Sequence, residues 1–127
     1  MSKIQRIDVY SYDLTYAHGD YVMSGGRTIR SLLSTVVRVT TASGVEGFGE
    51  VCPLGANYLP GYGTGAASVI AEFAHALIGL NVENLNLINE TMDATLSGHA
   101  YAKSVVDIAC WDAYGKVVNQ PVYTLLG

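Results

Sequence analysis

Charge is scarce in this sequence. Asp, Glu, Lys and Arg supply 14% of its 127 residues, where about 25% is usual for a globular chain. The balance is acidic, with a formal net charge of −4 and a pI near 5.1. Without a basic excess there is no electrostatic footprint for nucleic acid and no polybasic patch for an anionic membrane, so both partners are set aside. Cysteine is equally thin. Cys52 and Cys110 stand in no CxxC or CxxC…HxxxH spacing, which speaks against a zinc ribbon and a redox motif and predicts two reduced, buried thiols. No run reaches the roughly 18 apolar residues that a membrane span needs. Residues 1–20 carry charges in place of an apolar h-region, so no signal peptide is read and a cytoplasmic protein is expected.

Apolar residues, by contrast, make up 50% of the chain. The length suits one domain, able to bury about two-thirds of the surface its unfolded chain exposes. With so few charges, part of the apolar surface is expected to be covered by something outside the chain. The first third reads as sheet. Ile4 to Leu14 is β-rich, and from Arg30 to Thr41 the residues Leu33, Thr35, Val37 and Val39 alternate with Ser34, Val36, Arg38 and Thr40 at a period of two. Ala42-Ser43-Gly44 makes a turn, and Val45 to Val51 returns as a third strand whose Gly47 and Gly49 suggest a bulge or a close backbone approach. The result is an antiparallel three-stranded meander.

After Gly65 the period becomes 3.6. Ala66, Val69, Ile70, Phe73, Ala74, Leu77 and Ile78 form one stripe, with Thr64 as N-cap and Gly79 as the stop. A second helix is predicted over 83–97, burying Leu85, Ile88, Met92 and Leu96 ahead of Gly98. A third, over 99–118, buries Ala102, Val105, Val106, Ala109 and Ala113, with Asp112 and Lys116 as an i, i+4 pair on its wet side. Sheet followed by a helical bundle is the α+β class. The ending on Leu125-Leu126-Gly127, soon after a helix, reads as a cut at a domain boundary, because natural ends are usually polar tails.

Two connections are long and glycine-bearing: residues 16–27, with His18, Tyr21 and Met23, and residues 52–65, with Pro53, Tyr58 and Pro60. Loops of that length without structure of their own are usually functional or disordered. In a meander the first hairpin turn and the exit of the third strand share one end of the sheet, so both loops can converge on one ligand.

The residues Asp107-x-Ala109-x-x-Asp112-x-x-Gly115-Lys116, four more, then Pro121-Val122-x-x-Leu125-Leu126-Gly127 resemble the N-terminal signature of the mandelate racemase/muconate-lactonizing branch of the enolase superfamily. Gly44-x-x-Gly47-x-Gly49-Glu50 is similar to that family's third strand, so the resemblance covers nearly the whole chain. Tyr101 and Cys110 depart from it, standing where alanine is commoner, and the loops are too variable to count. The resemblance implies a single capping domain over 1–127: a sheet part, 1–52, with a specificity loop at 16–27, a second specificity loop at 52–65, and a helical part at 66–127. Such a domain closes over a (β/α) barrel of about 250 residues that this chain does not contain. It further implies Mg²⁺ and acid/base residues on the barrel, removal of a proton α to a carboxylate, a small carboxylate substrate, and a homo-oligomer at full length. On this reading the chain holds no catalytic residue and no metal ligand, and by itself is inactive.

The run Cys52-Pro-Leu-Gly-Ala-Asn-Tyr58 resembles members that racemise or epimerise betaines of proline and hydroxyproline, which implies that Tyr58 faces a quaternary ammonium. A cation on an aromatic face gains about 0.5–2 kcal/mol. Tyr58 packing only its own loop is an equal reading. Tyr21 and Met23 are weaker substrate-binding candidates, since a folded-in side chain is the commoner fate. His18, His75 and His99 form no metal pair. Asp107 reads as a salt link to Lys103, Trp111 as core or interface, and Glu50 as a backbone partner at the domain junction. Two other functions remain in view. Gly61-x-Gly63-x-x-Ala66 fits a GxGxxA phosphate loop, but no strand directly precedes it and no βαβ unit follows. A free-standing module that pairs through its apolar helical face is the other.

Overall fold

The computed structural model describes residues 2–127. Three strands, β1 (Ile4–Thr15), β4 (Ser31–Thr41) and β5 (Glu46–Val51), form an antiparallel sheet in the order β1-β4-β5. Between β1 and β4 a two-stranded ribbon is inserted, β2 (Tyr21–Val22) with β3 (Thr28–Ile29), around a 3-10 turn at Ser24–Gly26. The helices α1 (Gly63–Leu77), α2 (Leu85–Thr95), α3 (Ala100–Val117) and α4 (Val122–Leu126) follow. This is the α+β meander and helical bundle, with no closed barrel. No helix among the described residues is long and apolar enough to cross a membrane.

Period-two patterning explains the sheet. The cross-strand pairs Ile7↔Val39 and Val9↔Val37 point to one face, where α1 and α3 cover them and α2 packs against both helices. The opposite face is polar and aromatic. Asp8 lies directly across from Arg38, whose Nη2 donates to its Oδ2 at 2.9 Å, and the guanidinium stands 5.6 Å from the Tyr10 ring centre. Cross-strand pairs of opposite charge favour this register over a one-residue slip, which would turn Ile7 and Val39 outward.

The register of β4 with β5 is regular, so Gly47 and Gly49 mark close approach and not a bulge. A Cβ added at Gly47 would lie 2.1 Å from the Ala109 carbonyl oxygen, and one at Gly49 would lie 2.1 Å from that of Val105. The backbone of α3 rests directly on that of β5. Because β5 is the edge strand, its outward amides and carbonyls need partners, which α3 supplies. Asp112 Oδ2 accepts from the Phe48 amide at 2.8 Å, and Lys116 Nζ donates to the Glu46 carbonyl at 2.8 Å. The 112/116 pair forms at 2.7 Å on the wet side of α3, as expected, and its two side chains also serve the sheet edge.

Other local expectations need correction. Thr64 lies inside α1. The N-cap is Tyr62, with no side-chain bond, because the chain enters the helix one residue after a loop packed on Tyr101. Lys103 is buried and bonds Asp93 at 2.7 Å and the Leu96 carbonyl at the end of α2, while Asp107 accepts from Asn89 at 2.7 Å. The Lys103 to Asp107 link is therefore replaced by two ties from α3 to α2. Cys110 is buried, and burial pushes its thiol up to about 12, whereas Cys52 is only half-buried. Helix α4 was not legible. It forms after Gly115, where the absence of a side chain admits the Gln120 carbonyl and lets the chain fold back.

Gly47→Ala or Gly49→Ala forces α3 away from β5 and is expected to destabilise the fold by about 3 kcal/mol, measured by denaturant unfolding; a loss under about 0.5 kcal/mol would contradict the contact. In Asp112→Ala the Phe48 amide is expected to lose hydrogen-exchange protection while Val37 and Val39 retain theirs.

Candidate functional site

Both long connections leave one end of the sheet, where β1 ends at Thr15, β4 begins at Ser31 and β5 ends at Val51. The 16–27 segment is an ordered ribbon, not a bare loop. Met23 donates its amide to the Arg27 carbonyl at 2.8 Å, Gly25 and Gly26 turn the chain at φ of 78° and 74°, and the Tyr16 and Tyr21 rings stack at 5.7 Å. An exposed Asp20 to Arg30 pair, 3.0 Å apart, bridges its base.

The 52–65 segment folds over a cavity of about 580 Å³, with Leu54, Tyr58, Leu59 and Pro60 on the loop side and Ala100, Tyr101 and Ser104 of α3 on the other. No Asp, Glu, Lys, Arg or His lines it. Cys52 belongs to this cavity and also to a shallower groove with Leu14, Tyr16 and Leu32, so it joins the bases of the two segments. Apolar cavities with a few hydroxyls are where small ligands seat.

Of the residues singled out from sequence, Tyr58 lines the cavity and is 58% exposed, free to contact a ligand. Tyr21 and Met23 do not line it. Tyr21 stacks on Tyr16 and is exposed, and Met23 is half-buried at the ribbon turn. Tyr101 and Ser104 were missed as site residues. Tyr101 was visible only as a bulky residue where alanine is commoner, and nothing local says that its helix reaches the 52–65 loop.

The glycines at 61, 63 and 65 have packing duties. A Cβ at Gly61 would meet the Tyr101 ring at 3.0 Å, one at Gly63 the Leu33 carbonyl at 2.7 Å, and one at Gly65 the Tyr101 hydroxyl at 2.6 Å. Close packing accounts for the GxGxxA spacing without a phosphate.

Glu50 does not bond the backbone as expected. Its Oε1 accepts from the Ser34 hydroxyl at 2.5 Å and the Tyr12 hydroxyl at 2.6 Å on the outer face of the sheet. The two hydroxyls, Ser34 first, hold its carboxyl below the usual range, and the bond to the Glu50 carboxylate in turn raises the Tyr12 phenol. Asp8, Glu46 and Asp112 are likewise engaged by Arg or Lys. Among the described residues no three His, Cys, Asp or Glu gather to hold a metal ion. The donors among the described residues, taken up by these partners or scattered, do not fit a magnesium site.

The profile of the mandelate racemase/muconate lactonizing enzyme N-terminal domain matches residues 8–127. A cis-3-hydroxy-L-proline dehydratase from Roseibium aggregatum is 48% identical over 125 residues, spanning 98% of this chain and 34% of that protein. A solved enolase-superfamily member from Roseovarius nubinhibens ISM, complexed with magnesium, is 42% identical with a TM-score of 0.90, covering 98% of this chain and 33% of that one. A dipeptide epimerase from Enterococcus faecalis V583, solved with magnesium and L-Leu-L-Tyr, is 34% identical with a TM-score of 0.90, covering 98% and 34%. The chain thus spans about a third of the length of the relatives it matches.

A depressed Glu50 contributes stability that is present above the ordinary glutamate range and is lost as pH falls through the folded-state value. Glu50→Gln is therefore expected to make the acid loss of stability below about pH 4.5 shallower, read from unfolding midpoints; an unchanged slope would show that the hydroxyl pair is not the cause.

Proposed function

This chain belongs to the mandelate racemase/muconate lactonizing enzyme family as its N-terminal domain, and from that premise we propose that residues 1–127 act as the specificity lid of a longer enzyme. The observation that carries the proposal is that the 16–27 ribbon and the 52–65 loop leave the same end of the sheet, their bases joined at the Tyr16 and Cys52 groove and the loop folded over a cavity without charges. The parent enzyme removes a proton α to the carboxylate of a small substrate. Such a step needs a base near the carbon and a cation on the oxygens, neither of which this chain assembles. We place both, with magnesium, on a (β/α) barrel in the other two-thirds of the protein.

The lid's own contribution is shape and dryness. Tyr58 closes over the part of the substrate remote from the reacting carbon, and Tyr21 and Met23 approach from the ribbon. Water excluded from the site beneath makes its electrostatic interactions stronger. The apolar patch of Phe48, Ile108, Trp111 and Leu126 is the surface the barrel covers, consistent with the low charge of the chain. The two free thiols suit a reducing compartment, and we read the full-length protein as a cytoplasmic homo-oligomer.

For substrate, the dehydratase likeness and the compact cavity favour a five-membered imino acid carboxylate, with its N-methylated betaine as the second choice. Dehydration and epimerisation both begin with the same proton. The test is deuterium exchange at the α-carbon in D2O, followed by NMR with the full-length protein and Mg²⁺ on hydroxyprolines, proline and proline betaine. Exchange on at least one of these is expected, and none on any carboxylate would refute the reading. Tyr58→Ala is expected to lower kcat/KM about tenfold, matching roughly 1.4 kcal/mol of lost apolar contact; unchanged kinetics would remove Tyr58 from the site.

A further inference from the structure

We infer that α3 supplies a third determinant of substrate choice beside the two loops, with Tyr101 as the residue that sets it, and that the group admitted beside Tyr101 is uncharged and compact: an aliphatic ring or side chain with at most one hydroxyl. This rests on the proposed reading of that end of the sheet as the substrate-facing one.

Two observations carry it. The first is the cavity lining, which contains no ionisable acid or base other than the Cys52 thiol and the phenols of Tyr58 and Tyr101. A charged group placed there loses its hydration and meets no opposite charge in return. Ser104, exposed in the first turns of α3, is the one aliphatic hydroxyl on the wall.

The second is the rigidity of Tyr101. Its ring lies against Gly61, where an added Cβ would sit 3.0 to 3.2 Å from three of its atoms, and the Tyr62 ring stands 6.1 Å away. Its hydroxyl is sealed from solvent beside Gly65 and makes no hydrogen bond. An unpaired buried hydroxyl does not stabilise the fold, so what the site uses is the ring, held as a fixed wall. The wall is carried on the helix most firmly docked to the sheet, through Gly47, Gly49, Asp112 and Lys116. Tyr58, opposite it, is mostly exposed and can adjust. A rigid wall facing a movable one lets the rigid side define which shapes fit.

Cys52 lines the cavity and serves as a reporter, because the Cys110 thiol is buried and pushed up to about 12. In the full-length protein, Cys52 modification would be timed with neutral methyl methanethiosulfonate and with its sulfonatoethyl and trimethylammonioethyl analogues, the site being read by peptide mass spectrometry and the rates normalised to a free thiol. The neutral reagent is expected to lead both charged ones by about tenfold or more. That preference should persist in Tyr101→Phe and fall below about threefold in Tyr101→Ala. Equal rates for the three reagents, fast reaction of the ammonium reagent, or an unchanged preference in Tyr101→Ala would each overturn the inference. A second readout uses α-proton exchange: Tyr101→Ala should raise the kcat/KM ratio of a ring-enlarged substrate to the parent about fivefold, with Tyr101→Phe near wild type. An equal loss on both substrates would mark Tyr101 as merely structural. Absence of exchange in the wild type would strike the proposed function, while the labelling ratios still decide the character of the cavity.

Discussion

Everything in this domain hangs on a backbone-to-backbone contact between α3 and the edge strand β5. Gly47 and Gly49 remove the side chains that would hold the two apart, and the Ala109 and Val105 carbonyls occupy the space. An edge strand exposes unpaired amides and carbonyls that invite association with other chains. Here Asp112 and Lys116 occupy two of them, and the Phe48 ring lies 5.3 Å from the lysine ammonium. The signature residues Asp112, Gly115 and Lys116 thus have a common physical meaning: they bind the helix to the sheet edge and fold the following chain back onto it.

That contact also places the candidate site. Gly47 meets Ala109 and Ala113 while Gly49 meets Val105, so α3 runs antiparallel to β5 and its first turn lies beside the point where the 52–65 loop departs. Ala100, Tyr101 and Ser104 become a wall of the cavity for this reason. On its other side α3 holds α2 through Lys103 and Asp107. One helix thereby joins sheet, bundle and site.

The outer face of the sheet follows a different rule. Asp8, Arg38 and Glu46 form one charged row, and Tyr12, Ser34 and Glu50 form a second, hydrogen-bonded one. Most of the scarce charge of the chain that lies on the sheet is spent in mutual pairing, and none of it lines the cavity under the 52–65 loop.

Periodicity determined β4, the three long helices and most of their buried stripes, with Ile78 the exception that ends exposed past α1, because both the pleat and the helical turn write their repeat directly into the spacing of apolar residues; β1 and β5 were legible from β-rich composition and the Ala42–Gly44 turn. The same pattern made the meander and the shared end of the two connections legible, while Tyr58 was singled out only through the family resemblance of the Cys52–Tyr58 run. It did not reveal the ribbon within 16–27, the α4 turn or the partners of Glu50 and Lys103, since those depend on which groups lie across a gap and not along the chain. Tyr101 shows the difference most plainly. In sequence it is one more aromatic at a helix start, and only the docking of α3 on two glycines, 52 and more residues earlier in the chain, brings its ring to the cavity wall, because a side chain's neighbours are set by packing across the fold.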